Sequence, residues 1–338
     1  MVAAFCEVNV ISVTAKLLRV NCRYSQIFYD WIEVMASFTF RQLELFASLP
    51  DHATLGSAAK DLLISESALS HALTELERAV GEQLCIRRKA KGLHLTPSGR
   101  EFALRAREIL KAVDSLTADL GHRAGELSGP LALGCYTGLA SNVLPAVLQG
   151  MGEKHPRVTI DISVGDHSEL LPALDDGRLD FAILYDLGLH AELHTTVIYE
   201  TEVMAILAED DPLAQAEDVD LADLVPKPLI MLDTAPSTAN TQLMFAQRGL
   251  APTIKASVPH IDLARALVGR GLGYCLLMSR PNQIGLSSEG RQIVSRPLRP
   301  RSGRTSVVAA WARDATLTDR AKAAVEYSIE VLEALGTT

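Results

Sequence analysis

Residues 55–73, LGSAAKDLLISESALSHAL, restrict the possible folds of this chain more than any other segment. Apolar residues recur there with the spacing of two short helices joined by a tight turn at Ile64. The first helix is expected over 55–63, with an inner face formed by Ala58, Ala59 and Leu62. The second is expected to begin after Ser65, a good capping residue, with an inner face formed by Ala68, Leu69, Leu73 and Leu76. Because alanines let two helices cross closely, this pattern is typical of a helix-turn-helix.

The outer face of the second helix is rich in small polar side chains. Short polar groups at a helix N-terminus can enter the major groove of DNA and contact base edges and phosphates. The predicted DNA contacts of the two helices are Ser57, Ser65, Glu66, Ser67, Ser70, His71 and Thr74. Glu66 has two interpretations that stay open. It either accepts a hydrogen bond from a cytosine or, as a first-turn carboxylate favoured by the helix dipole, contacts no base.

The charge of the chain is divided unevenly along its length. A net charge of −9 over 338 residues at first disfavours a nucleic-acid-binding protein. Residues 39–100, however, carry eight basic and seven acidic side chains, whereas residues 101–338 carry 21 basic and 31 acidic ones. The acidity therefore belongs to the C-terminal part and does not exclude DNA binding by the N-terminal part.

Five cysteines are scattered along the chain: Cys6, Cys22, Cys85, Cys135 and Cys275. They form no CxxC pair, so the sequence supports neither a disulfide framework nor a zinc site, and we expect no metal and no cofactor. Residues 1–34 lack the basic start, apolar block and small-residue cleavage site of a secretory signal. These features predict a protein of the cytoplasm.

Met35 stands just before the first clear helical pattern, ASFTFRQLELFASL. Our hypothesis is that translation starts at Met35 and that residues 1–34 are an untranslated extension or a disordered tail. The alternative is a helix that packs on the body of the protein. Residues 35–96 then form the predicted DNA-binding domain.

A single long helix is predicted over residues 97–124, since Thr96 is a suitable N-cap and Pro97 suits the first helical position. Alternating spacings of four and three are typical of a helix that pairs with another helix. The apolar residues with these spacings are Phe102, Ala106, Ile109, Val113, Leu116 and Leu120. We expect them to form a dimer seam, and the alternative is that they pack on their own domain. Residues 125–130, GELSGP, are predicted to be a hinge.

Strands and helices alternate from residue 131 onward, where VTIDISV and DFAILY are strand-like runs between helical segments. This alternation predicts a parallel sheet with right-handed crossovers. Two α/β lobes are expected within 131–338. Lobe I would comprise residues 131–188 and 306–338, lobe II would comprise residues 189–305, and a cleft would separate them.

Polar residues follow several of the predicted strands. Ligands of open α/β sheets bind beyond the carboxyl ends of strands, where helix N-terminal amides also favour an anion. The candidate ligand-binding residues are Tyr136, Thr137, Ser141, His167, Ser168, Thr234 and His260. For each hydroxyl, helix capping is an equally good explanation.

The run FRQLELFASL…LGSAAKDLLISESALSHALTELERAVGEQLCIRRKAKGLHLTPSGREFA resembles the N-terminal domain of the LysR-type transcriptional regulators. The shared features are the helix pair, the S-x-x-A-L-S start of the second helix, the L-E…G-x-x-L that ends it, and L-T-x-x-G. LDFAIL and LVGRGLGYCLL extend the resemblance loosely over the C-terminal part. Glu66, Ser67 and His71 depart from the Gln-Pro and Arg frequent in the family, which puts the DNA sequence preference in doubt.

The resemblance implies an N-terminal, all-α winged helix-turn-helix with a long linker helix. It also implies a C-terminal α/β effector-binding domain with two lobes, like a periplasmic binding protein. A basic cluster on the wing would then contact DNA phosphates: Arg87, Arg88, Lys89 and Lys91. Thr137 and His167 become the leading ligand contacts, because inducers of similar regulators bind near these strand ends. The family includes peroxide sensors, but Cys135 and Cys275 lie in apolar strands, which favours inert core thiols.

We therefore expect a sequence-specific DNA-binding regulator that forms a homodimer or homotetramer. Its hold on double-stranded promoter DNA would change when a small metabolite closes the lobes. RNA polymerase is a further expected partner. A solute-binding protein with the same two lobes would need export, and an enzyme would need a catalytic motif. H-E-x-x-H, G-x-S-x-G and P-loop patterns do not occur in the sequence, and no catalytic residue is predicted.

Overall fold

The computed structural model describes residues 38–88, 92–120, 127–279, 285–301 and 304–336. Residues 1–34, Lys89, Lys91 and the first two residues of the predicted hinge lie outside these ranges. The chain divides into two compact units, with the boundary between Ala103 and Leu104. No helix in the described part of the chain is long and apolar enough to cross a membrane.

The described residues of the first unit form three helices, a two-stranded wing and the first turns of a fourth helix. Its elements are α1 (Phe40–Ala47), α2 (Leu55–Asp61), α3 (Glu66–Val80) and the antiparallel strands β1 (Cys85–Arg88) and β2 (Gly92–Leu95). Each helix begins at a hydroxyl side chain that accepts a hydrogen bond from its first turn: Thr39, Thr54 and Ser65. The unit is therefore all-α apart from the wing.

The helix-turn-helix is present as predicted, with two corrections. The first helix ends at Asp61, two residues earlier than expected, because Leu62 already serves as its C-cap. Ala68 is exposed rather than on the inner face, since Leu69, Leu73 and Leu76 alone form the buried stripe. The core of the unit consists of Leu45, Phe46, Leu49, Ala58, Ala59, Leu69, Leu73, Leu76, Leu84, Cys85, Leu93 and Ala103.

The turn between α2 and α3 contains a backbone conformation unusual for its residue. Leu63 has a φ of 55° and an exposed fraction of 92%. The left-handed region brings the Cβ of an L-residue close to the following carbonyl, which costs roughly 1–2 kcal/mol, and asparagine tolerates it better. Leu63 buries almost no surface that would offset this cost.

Replacing Leu63 with asparagine should therefore stabilise the first unit by about 0.5–1 kcal/mol. Chemical denaturation of the full chain, followed through the first unit, measures the change. Leu63→Ala is the matched control, because it removes the same exposed side chain but keeps the same backbone strain. An equal gain in both variants would mean that the exposed side chain, and not the backbone, was unfavourable.

Two short sequence motifs, L-E…G-x-x-L and L-T-x-x-G, anchor the wing to the helices through hydrogen bonds between side chains and the backbone. Glu77 Oε1 accepts hydrogen bonds from the backbone N–H groups of Leu84 at 2.9 Å and Cys85 at 3.0 Å. Thr96 Oγ1 donates to the Gln83 carbonyl at 2.8 Å and accepts from the Gly99 N–H at 2.9 Å. The L-E…G-x-x-L and L-T-x-x-G motifs therefore have a structural role, because the side chains of Glu77 and Thr96 position the wing.

The long helix α4 (Pro97–Leu120) confirms the predicted linker helix as far as the structure describes it. Phe102 packs edge-on against Phe46, with 5.3 Å between ring centroids, so it belongs to the core of the first unit. Ala106 is buried within the monomer, whereas Ile109 is 44% exposed. The residues of the predicted dimer seam therefore differ in their surroundings. The first of them, Phe102, packs on its own domain, as the alternative interpretation expected.

The second unit begins within the same helix. Lys111 Nζ lies 2.7 Å from Asp180 Oδ1, and Asp180 Oδ2 accepts a hydrogen bond from the Ala132 N–H, also at 2.7 Å. The aspartate of LDFAIL thus connects the helix to the neighbouring sheet. Side chains beyond Val113 on this helix, including Leu116 and Leu120, are outside the described part.

Lobe I is built on a five-stranded sheet of order β4-β3-β5-β13-β6. The strands are β3 (Ser128–Tyr136), β4 (Arg157–Gly165), β5 (Phe181–Tyr185), β6 (Leu193–Thr201) and β13 (Thr305–Ala312). The helices of this lobe are α5 (Thr137–Lys154), α6 (His167–Asp175) and α10 (Asp319–Gly336). The core lies between these helices and the sheet, and Phe181, Ile183 and Val308 are among its fully buried residues.

Three predictions for this lobe were wrong. The sheet is mixed, because β13 returns from the other lobe and pairs antiparallel with both β5 and β6. β6 belongs to this sheet, so residues 193–201 are part of lobe I and not of lobe II. Residues 128–130 are not a hinge, since they already pair with residues 157–159 as the start of β3.

Lobe II contains a four-stranded sheet of order β11-β7-β12-β8 and the parallel pair β9–β10. Its strands are β7 (Val203–Ala208), β8 (Val219–Asp220), β9 (Leu229–Leu232), β10 (Ile254–Val258), β11 (Cys275–Met278) and β12 (Ile293–Arg299). Its helices are α7 (Leu221–Leu224), α8 (Ser237–Gln247) and α9 (Ile261–Gly269). Two chain crossings, after β6 and before β13, connect it to lobe I.

Candidate DNA-binding surface and ligand cleft

The start of α3 presents its polar side chains to solvent. Ser65, Glu66, Ser67, His71 and Thr74 are exposed, and Ser70 is half-buried. Because Leu69, Leu73 and Leu76 hold the opposite side of the helix in the core, this face is available to a partner such as a DNA groove.

Several of these hydroxyls also have a local role. Ser65 Oγ accepts from the Ala68 N–H at 3.1 Å and lies 3.0 Å from Ser67 Oγ. Thr74 Oγ1 donates to the Ser70 carbonyl at 2.9 Å. Ser57 forms a capping box with Thr54 at the start of α2. Capping thus accounts for Ser57 and Ser65 without DNA. Ser57, Ser65 and Ser67 are all exposed, so they remain able to contact DNA.

Glu66 lies close to the start of α2. A Cβ placed on Gly56 would come within 3.3 Å of Glu66 Oε2, so the carboxylate extends back across the helix pair. This position agrees with the interpretation of Glu66 as a first-turn residue favoured by the helix dipole.

The wing is held at its base by contacts to the helix-turn-helix. Gly92 has a φ of +80°, and a Cβ there would lie 2.7 Å from the Ala53 carbonyl oxygen. The same oxygen accepts a hydrogen bond from the Leu93 N–H at 3.0 Å. Arg87 and Arg88 end β1, the strand that leads into the wing tip, whereas Lys89 and Lys91 lie outside the described residues.

In the second unit, Tyr136 crosses from lobe I to lobe II. Its side chain is 1% exposed, and its hydroxyl lies 2.8 Å from Thr234 Oγ1 and 2.9 Å from Ser237 Oγ. His167 packs edge-on against the Tyr136 ring, with 5.7 Å between centroids. The structure thus brings together three of the predicted ligand contacts, Tyr136, His167 and Thr234, and Ser237, which follows the same strand as Thr234.

His167 lies buried at the junction of the two lobes. Its backbone N–H donates to the Ala235 carbonyl across the cleft at 3.2 Å, and its Nε2 has no hydrogen-bond partner among the described residues. Burial lowers the pKa of His167 to about 4, and the charge of Asp166 and a hydrogen bond with the Leu187 backbone offset this only in part. The imidazole is therefore neutral at pH 7.

The remaining predicted ligand contacts are less enclosed. Thr137 is half-buried at the first position of α5, and Ser141 is exposed and bonds to Asn142. Ser168 donates to Asp166, which caps α6, so its hydroxyl takes part in capping. His260 is exposed at the start of α9.

Little space remains where Tyr136 crosses the cleft. The cavity beside it has a volume of about 30 Å³, enough for a single water molecule. A neighbouring cavity of about 340 Å³ is bordered by Asn240, Arg248 and Arg301, residues that the sequence analysis did not select. Arg301 lies far from the other two in the sequence and the three follow no motif, so no sequence signal identified them.

The low pKa of His167 predicts a loss of stability in acid. The unfolded chain binds a proton near pH 6.5 and the folded chain near pH 4, so the free energy of unfolding decreases as the pH falls between these values. From pH 7 to pH 4.5 the contribution of His167 should fall by about 2 kcal/mol. Denaturant titrations of the second unit at both pH values measure this.

His167→Gln should remove most of this dependence, because glutamine does not titrate. If His167→Gln loses as much stability in acid as the unsubstituted chain, protonation of another group is responsible.

The described cysteines are all buried. Cys85, Cys135 and Cys275 are at most 1% exposed, and burial raises the pKa of the Cys135 thiol to about 12. Since the thiolate is the reactive form, Cys135 is an inert core residue at neutral pH. In the part of the chain that the structure describes, no three His, Cys, Asp or Glu residues are grouped as metal ligands.

Two family models together match most of the chain. "Bacterial regulatory helix-turn-helix protein, lysR family" matches residues 40–100, and "LysR substrate binding domain" matches residues 124–333. These ranges correspond to the DNA-binding unit with the start of α4 and to the two-lobed domain.

Individual proteins agree with the family models. The "Probable hydrogen peroxide-inducible genes activator" of Mycobacterium xenopi is 35% identical over 52% of this chain and 93% of that protein. The PA01 protein of Pseudomonas aeruginosa, a LysR family regulator by its description, is 31% identical with a TM-score of 0.56, covering 88% of this chain and 99% of that one. The C-terminal domain of a regulator from Rhodococcus sp. RHA1 is 35% identical with a TM-score of 0.58, covering 60% and 99%. With the winged helix-turn-helix and the two-lobed domain in place, this chain belongs to the LysR family of DNA-binding transcriptional regulators.

Proposed function

We propose that this protein binds promoter DNA through α3 and the wing and that a small metabolite in its two-lobed domain modulates this binding. The observation that carries the proposal is the exposed polar face at the start of α3, opposite a fully buried leucine stripe. The proposed groove contacts are Ser67, Ser70, His71 and Thr74. The wing arginines add contacts to phosphates, which increase affinity without reading sequence.

A homodimer is the proposed minimum assembly, and two dimers would form a tetramer. The exposed Ile109 of α4 is available for helix pairing, whereas Phe102 packs in the DNA-binding core. Dimerisation there would place two α3 helices at half-sites about one turn of DNA, or a multiple, apart. RNA polymerase is a further proposed partner of the DNA-bound form. The relatives of this chain are transcriptional regulators, which favours a non-enzymatic role.

Fluorescence anisotropy with the DNA upstream of the gene tests this function, with random duplex as competitor. A negative charge at Ser67 would face the phosphates, so Ser67→Glu should weaken specific binding by about tenfold or more. Ser288→Glu, at an exposed serine of the second unit, is the matched control and should bind as the original protein does. No preference for any genomic fragment over random DNA would contradict the proposal.

A second candidate function, peroxide sensing, is suggested by the name of the Mycobacterium xenopi relative. The burial of Cys85, Cys135 and Cys275 argues against it, because peroxide reacts with accessible thiolates. We therefore expect hydrogen peroxide to leave the affinity for DNA unchanged. Titration of the reduced protein with peroxide, followed by the anisotropy assay, measures this. A peroxide response that Cys135→Ala or Cys275→Ala removes would reverse this expectation.

A further inference from the structure

The cavity of about 340 Å³, here called the hinge cavity, lies beside the filled strand-end site. The two spaces share four lining residues: Leu187, Val203, Asn240 and Met278. The hinge cavity has the size of a small-molecule site, whereas the space at Tyr136 holds a single water. A ligand at the strand ends would first have to break the bonds that join Tyr136 to Thr234 and Ser237.

The lining of the hinge cavity is mostly apolar and carries positive charge. Its apolar residues are Leu187, Val203, Leu221, Leu243, Met244, Met278, Leu298 and Pro300. Leu243 is 54% exposed, although large aliphatic side chains are usually buried. The charged residues that line the cavity are Arg248 and Arg301, and no carboxylate belongs to the described lining.

Both arginines have N–H groups that make no hydrogen bond to the described residues. Arg248 Nη1 lies 2.8 Å from Asp220 Oδ1 and 3.4 Å from the Arg299 carbonyl oxygen. Arg301 Nη1 bonds to both oxygens of Glu202, at 3.0 and 3.3 Å. Within the described residues these bonds use Nη1 alone, so Nε and Nη2 of each guanidinium can still donate. The Arg248 side chain is only 33% exposed, which strengthens any bond it makes to an anion.

The hinge cavity borders one chain crossing between the lobes and is linked to the other by an ion pair. Pro300 and Arg301 belong to the crossing from β12 to β13, and Arg301 is paired with Glu202 on the crossing from β6 to β7. A ligand that bonds to Arg301 therefore contacts the segments about which the lobes would rotate.

We propose that the hinge cavity binds a small amphipathic carboxylate. Arg248 holds the carboxylate with help from Arg301, and Leu243 and Met244 cover the apolar body. The binding itself is independent of DNA; only its regulatory consequence, a changed affinity for promoter DNA, rests on the proposed function. The ligand class follows from an apolar lining combined with the guanidinium N–H donors that the ion pairs with Asp220 and Glu202 leave unused.

Calorimetric and thermal-shift titrations of the full chain test the proposal with phenylacetate and hexanoate as probes. The neutral amides of the same two acids are the matched ligands. We expect both acids to raise the melting temperature and the amides to bind at least tenfold more weakly. Equal binding of acid and amide, or no binding of either acid, would overturn the proposal.

Variants locate the site. Arg248→Gln should weaken binding of the acids at least tenfold, and Leu243→Trp should block the cavity. Arg270→Gln is the control, since Arg270 is also paired with an exposed carboxylate, Glu289, but does not line the cavity. Unchanged melting temperatures of the ligand-free variants show that they are folded.

Two further outcomes separate the site from the function. If Thr137→Ala abolishes binding of the acids and Arg248→Gln does not, the ligand occupies the strand-end site and the proposal is wrong. If the acids bind as expected and the protein shows no preference for genomic DNA, the hinge cavity is supported and the proposed function fails.

Discussion

Replacing Gly99 with alanine should unfold the DNA-binding unit while the second unit stays folded. A Cβ at this position would overlap the Leu84 carbonyl oxygen and lie 2.8 Å from the carbonyl carbon. That carbonyl cannot move away easily, because it accepts the Thr96 N–H at 3.0 Å and the Leu84 N–H is bonded to Glu77. Relief requires separating α4 from the wing, so the expected loss is about 3 kcal/mol or more.

Calorimetry of the full chain, together with the DNA-binding assay, measures this effect. We expect the transition of the first unit to move to a much lower temperature and specific DNA binding to disappear. Gly152→Ala is the control: nothing lies within 4 Å of a Cβ at this position on α5, and alanine favours a helix. A Gly99→Ala protein that binds DNA normally would mean that the close approach of Leu84 is not required for the fold.

Removing both wing arginines, in Arg87→Ala with Arg88→Ala, should weaken DNA binding and reduce its salt dependence. Each neutralised phosphate contributes roughly 0.9 to the slope of log K against log salt, so the slope should fall by about 1.8. At a salt concentration of about 0.15 M this corresponds to a roughly thirtyfold loss of affinity. Because phosphate contacts carry no sequence information, the ratio of specific to random binding should change little.

Salt titrations of binding to specific and random duplexes measure both quantities. Arg304→Ala with Arg313→Ala removes the same charge from exposed positions of the second unit and is the control. The assignment of the wing is wrong if the slope is unchanged in the Arg87 and Arg88 variant, or if the control lowers the slope equally.

The DNA-binding unit was predictable because its determinants are close together in the chain. The leucine spacing of α3, the Ser65 cap and the tight turn all act within one or two helical turns, and the structure reproduces them. The errors in this unit are small for the same reason. Ala68 was placed on the buried face, which begins at the adjacent Leu69, and α2 ends two residues earlier than predicted.

The errors in the second unit arise from contacts between distant segments. Alternating strands and helices correctly predicted parallel pairing of β3, β4 and β5. The same pattern could not show that β13 returns antiparallel or that β6 joins lobe I, because strand partners are selected by the whole sheet. Tyr136 was selected as a ligand contact, yet its hydroxyl bonds to Thr234, 98 positions away.

The sequence by itself determined the family, the helix-turn-helix, the basic wing and the existence of two α/β lobes. Each of these depends on hydrophobic periodicity, helix capping or the order of short sequence motifs, which are properties of neighbouring residues. Only the tertiary structure decided where the lobes divide, that Tyr136 fills the strand-end site, and that Arg248 and Arg301 line one cavity. These features depend on residues that folding brings together from distant positions, and no local sequence pattern predicts such long-range contacts.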